Sequence, residues 1–91
     1  MNKYMREIHK KIWPKWFRLI KKGKKNVEFR LADFQVKPGD ILVLEEWDPI
    51  KKKYTGKLIK KKIKFVHKIN PLDYYKSKEL KKYGVYLLEL E

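Results

Sequence analysis

Lys37-Pro38-Gly39-Asp40-Ile41-Leu42-Val43-Leu44-Glu45-Glu46-Trp47 is the stretch on which the fold turns. Its Pro-Gly pair predicts a type II turn, because proline presets the first central residue and glycine takes the positive φ that the second requires. The strand that follows, Asp40 to Trp47, is nearly continuously apolar through Ile41, Leu42, Val43 and Leu44, as expected when both faces are covered. Such a strand lies at the centre of a sheet. Downstream, Asp48-Pro49 and the lysines after it predict a turn, and Tyr54-Thr55-Gly56 leads into a long strand from Lys57 to Ile69. Regular alternation there puts Ile59, Ile63, Phe65 and Ile69 on one face and Lys60, Lys62, Lys64 and Lys68 on the other.

Upstream of the central strand, Lys25 to Leu31 also alternates. Val27, Phe29 and Leu31 fall on one face; Asn26, Glu28 and Arg30 fall on the other, which is expected to look outward into a hollow. Before it, Trp13-Pro14 opens a helix, since proline at the first helical position loses nothing, and Gly23 supplies a left-handed stop. Trp16, Phe17, Leu19 and Ile20 are the expected buried face of that helix, and Tyr4 to Ile12 reads as a first strand. At the other end, Asn70-Pro71 predicts the start of a second helix running to about Lys82, with a last strand from Val85 to Leu90. The order is β-α-β-β-β-α-β, an α+β or mainly β chain with five strands and two short helices. A curved sheet closing into a five-stranded barrel plugged by the helices would bury the apolar faces and remove open edges. An open α+β sheet is the alternative.

No repeat or linker breaks the sequence, so residues 1–91 are read as one domain with a modest core. Cysteine is absent, which removes disulfides and thiolate metal sites and suits a reducing interior. No stretch approaches the roughly 18 apolar residues of a membrane span and no signal-peptide pattern opens the chain, so a soluble, cytoplasmic protein without membrane partners is expected. The 25 Lys and Arg against 11 Asp and Glu give a formal net charge of +14, spread over both halves. That field attracts polyanions and repels other copies of the chain, which favours a monomer with RNA or a nucleotide as partner.

The chemistry-bearing residues concentrate before the central strand. Arg30 offers a planar fork for a phosphate or base edge, Lys25 a point charge with Lys24 beside it, and Glu28 an acceptor for an exocyclic amine. Glu28 and Arg30, two positions apart on a strand, sit roughly 7 Å from each other. Lys60, Lys62 and Lys64 project charge at a similar step along one strand face, a track for a nucleic-acid backbone. Trp47 and Tyr54 flank a turn where they can line a cleft and stack on a base. Other chemistries lack raw material. Ser77 is the only serine, Thr55 the only threonine, and His9 and His67 the only histidines, with no metal-ligand or cofactor fingerprint around them, so neither metal nor cofactor is expected. If the protein is an enzyme, Lys25 with Glu28 must carry the reaction as a pair activating water toward an amide.

Several separately spaced motifs resemble the ASCH domain family of the PUA-like superfamily, in particular its small single-domain archaeal and bacterial members of unassigned function. They are Ile8-His9-Lys10-Lys11-Ile12-Trp13-Pro14 with Phe17, then Gly23-x-Lys25-x-x-Glu28-x-Arg30, then Gly39-Asp40-Ile41-Leu42-Val43-Leu44, Glu46-Trp47-Asp48-Pro49 and Tyr54-Thr55-Gly56. The resemblance implies a PUA-like β-barrel, with the Gly-x-Lys-x-x-Glu-x-Arg segment lining a cleft that holds RNA or a nucleotide. Some relatives act as small amidohydrolases on acylated cytidine, using a lysine at the place of Lys25 and a threonine three residues later. This chain has Glu28 at that later position and Asn26 where threonine often follows the lysine.

Overall fold

The computed structural model describes residues 6–69 and 78–91, apart from the side chain of Ile69. The elements run β1 (Glu7–Ile12), α1 (Pro14–Lys21), β2 (Val27–Leu31), β3 (Ile41–Asp48), β4 (Lys53–Ile69), α2 (Lys78–Tyr83) and β5 (Val85–Leu90), in the expected order. The proposed strand start at Tyr4, the helix start at Asn70-Pro71 and Ser77 lie outside the described residues.

The strands form one mixed sheet in the order β1-β3-β4-β5-β2. Only β1 and β3 run parallel; the other pairs are antiparallel. The expected barrel is not formed, because β1 and β2 remain the two edges of the sheet. Between them the Arg30 guanidinium donates to the Lys11 carbonyl at 3.0 Å, so one side chain spans a gap that a ladder would otherwise close. Both edge strands are short, which limits the exposed backbone they leave unpaired.

The turn that opens β3 forms as its residues dictate: Gly39 has φ +97°, and the Asp40 amide donates to the Lys37 carbonyl at 3.1 Å. Leu42, Val43 and Leu44 are fully buried, in keeping with a strand covered on both sides. The core gathers Leu42 and Leu44 with Ile63 from β4, Leu88 and Leu90 from β5, Ile12 from β1, and Phe17 and Ile20 from α1. Phe17 and Ile20 lie three positions apart, and with so short a helix this is all of its face that can be buried.

Two irregularities shape β4. Opposite Glu46 the register shifts around Thr55-Gly56, where Gly56 takes φ +91° and the Thr55 hydroxyl donates to the buried Glu46 carboxylate at 2.7 Å. A second shift falls between Ile63 and Phe65 and overturns the regular alternation expected there. Ile63 stays in the core, whereas Phe65 is 47% exposed, and Lys68 leaves the face shared by Lys60, Lys62 and Lys64. No helix among the described residues is long and apolar enough to cross a membrane.

Candidate functional site

The end of α1 positions the first site residue. Gly23, at φ +74°, donates to the Ile20 carbonyl at 3.0 Å while Lys24 donates to Leu19 at 2.9 Å, the two crossed bonds of a Schellman stop. The Lys25 amide adds a third bond to Leu19 at 3.1 Å, so the backbone carrying Lys25 is tied to the helix it leaves. The facing strand is set by its register with β5. Glu28 pairs with the fully buried Leu88, and Phe29 pairs with Leu87 on the opposite side. Glu28 and Arg30 therefore point toward the inner side of the sheet, and it is Phe29, at 59% exposure, that faces solvent. Glu28 and Arg30 thus face inward rather than outward, yet both border the expected hollow.

Glu28 is only 4% exposed and both of its oxygens are occupied. Lys25 Nζ donates to Oε1 at 2.7 Å and Arg30 Nε donates to Oε2 at 2.8 Å. Lys25 also donates to the Val27 carbonyl, and Arg30 to that of Lys11. A guanidinium has five N–H donors and an ammonium three, so both cations keep donors beyond these bonds. The triad carries one net positive charge: two cations share one carboxylate.

This cluster forms one wall of an open cleft of about 510 Å³ whose lining includes Lys11 and Ile12 at the end of β1, Trp13 just before α1 and Trp16 on it, Lys25, and Glu28, Phe29 and Arg30 on β2. Trp13 is 54% exposed and Trp16 41%, which corrects the expected burial of Trp16. The signal for this was present: Trp13 precedes the first helical proline, and Trp16 follows it at a spacing that puts both indoles on one side of the helix, beside the Phe17–Ile20 stripe. Lys11 was also missed as a lining residue; its Nζ stands 4.3 Å from the centre of the Trp47 ring.

The remaining predicted residues lie elsewhere. Lys24 is exposed in the turn after α1. Trp47 and Tyr54 pair with each other across the β3–β4 hairpin and are absent from the cleft lining. Lys60, Lys62 and Lys64 run along the outer side of β4, within 2.9 Å of Glu7, 3.8 Å of Glu91 and 3.4 Å of Glu89 respectively. Among the described residues no three His, Asp or Glu side chains converge in a way that could hold a metal ion.

Residues 8–78 match a domain of unknown function, DUF3850. The chain belongs to the DUF3850 family. This DUF3850 chain is 38% identical over 60 residues to an "Uncharacterized 12.9 kDa protein in GpA 3'region" of Escherichia phage P2, covering 65% of this chain and 53% of that protein. It thus spans about half the length of the curated relative it matches. Among solved structures it is similar to the hypothetical protein PH0355, at a TM-score of 0.70 and 26% identity, with 93% of this chain and 97% of the other aligned. The DUF3850 match begins at Ile8 and takes in the cleft-lining residues named above, from Lys11 to Arg30.

Proposed function

We propose that this DUF3850 domain binds a nucleotide, free or as a unit of RNA, in the cleft between α1 and β2. A phosphate or an acceptor-bearing base edge is held by the spare N–H groups of Arg30 and Lys25, and the base stacks against Trp13 or Trp16. The observation that carries this reading is the doubly occupied, buried Glu28, which fixes two cations in one wall of a cleft edged by two half-exposed indoles. Glu28 acts here as a positioning residue: with a hydrogen bond on each oxygen it orients the donors more readily than it reads an amine itself. The net charge of +14 adds long-range attraction for the phosphate.

The ASCH, PUA-like relationship belongs to the same proposal. Support comes from the element order and from the cleft-side position of Gly23-x-Lys25-x-x-Glu28-x-Arg30 between sheet and helix. On this reading the domain is an open version of that architecture, with Arg30 bridging the two edges.

Titration with cytidine monophosphate, followed by tryptophan fluorescence, tests the cleft. Binding should quench the indoles. Arg30→Ala should weaken it by about 10- to 100-fold, the value of a lost charge-assisted hydrogen bond. Equal affinity in parent and variant would rule out Arg30 as a ligand. Turnover of N4-acylcytidine that disappears in Lys25→Ala would instead make the cleft the active site of an amidohydrolase, with Lys25 and Glu28 as its catalytic pair.

A further inference from the structure

The second register shift in β4 gives the outer side of the sheet a composition that regular alternation would not. Up to the shift, Lys60, Lys62 and Lys64 face outward; beyond it, Phe65 and His67 do. Lysines and rings therefore follow one another along a single outward line. The Phe65 and His67 rings lie 6.1 Å apart, centre to centre. Across the register, His67 sits beside Leu87 and Leu87 beside Phe29, placing the exposed Phe29 ring two strands away, about 10 Å. Phe29 also borders the cleft and so joins the two surfaces.

We propose that this outer face is a platform for single-stranded nucleic acid, with bases stacked on Phe65, His67 and Phe29 and the backbone following Lys60, Lys62 and Lys64. Exposed rings on a sheet suit unpaired bases because every base offers a π-face, and the flanking cations suit phosphates. The pairs that these lysines make with Glu7, Glu91 and Glu89 are exposed, and such pairs are weak enough for a phosphate to displace. A second copy of the chain brings the same +14 charge to the face and is repelled, which argues against self-association there. The proposal deepens the nucleic-acid reading but does not depend on the cleft.

The test is fluorescence anisotropy of the full chain with a labelled single-stranded oligouridylate of about 12 nucleotides, within the range one small domain covers. Phe65→Ala combined with His67→Ala should weaken binding about tenfold or more. Phe65→Tyr, which keeps a ring, should retain it, and Glu89→Gln should strengthen it. Cytidine monophosphate binding, read through Trp13 and Trp16, should be unchanged in the double variant, which separates failure of this face from failure of the cleft. Oligonucleotide affinity that survives loss of both rings overturns the proposal. So does a dimer seen in sedimentation that Phe65→Ala dissolves, since the face would then be an interface between copies.

Discussion

Glu28 shows how a single residue can be legible in type and illegible in direction. That an acid and two bases lie within six positions is plain from Lys25, Glu28 and Arg30, and the alternation of β2 puts Glu28 and Arg30 on one side. Which side that is depends on β5, because Glu28 shares a face with whatever residue it pairs with, and that residue is the buried Leu88. The consequence is energetic. Replacing this buried carboxylate, which has a cation on each oxygen, would leave Lys25 and Arg30 facing each other without the charge that joins them. Glu28→Gln should cost about 2–3 kcal/mol, lowering the melting temperature by about 10 °C or more for a domain of this size. A thermal melt by circular dichroism checks this; a variant melting with the parent would mean that the triad contributes nothing to stability.

Among the elements, α1 was the most readable and β4 the least. Pro14 and Gly23 bracket a helix whose stop also delivers Lys25, so a local conformational rule reaches the site directly. Gly23→Ala has room for its methyl group, with nothing within 4 Å, so its cost is that of the left-handed backbone alone, about 1 kcal/mol, or roughly 5 °C in melting temperature. It should also weaken nucleotide binding, because the Lys25 amide is held by the same stop. A variant as stable as the parent would show that Gly23 does not need its positive φ. In β4 the Lys-Ile-Lys-Phe alternation reads as uniform, and nothing local marks the extra residue between Ile63 and Phe65. That bulge is resolved only when β4 leaves β3 and pairs with β5, where Ile63 meets Leu90 and Phe65 meets Glu89. Trp16 was misread for a related reason: the buried stripe of so short a helix is filled by Phe17 and Ile20, leaving the indole at the cleft.

For the molecule as a whole, charge balance governs behaviour in acid. Among the described residues three carboxyls are held below their ordinary values. For Asp40 burial pushes the other way but is outweighed by the Arg6 guanidinium at 2.9 Å and the Lys37 amide; for Glu7 the cause is the hydrogen bond from Lys60; for Asp48 it is the amides of Lys51 and Ile50. A group whose folded value is depressed contributes fully above its unfolded value, about 4, and loses that contribution as pH falls through the folded value. Each protonation also raises a net charge that is already +14. Melting temperature should therefore be nearly flat from neutrality to about pH 5 and fall steadily below about pH 4, and a protein that grows more stable on acidification would contradict this account. By itself the sequence determined the order of elements, the central strand, the helix stop and the charge, because turns, caps and hydrophobic runs act through neighbours in the chain. Only the tertiary structure decided that the sheet stays open, that Glu28 turns inward and that Phe65 turns outward, because a strand's facing depends on the register of partners far away in sequence.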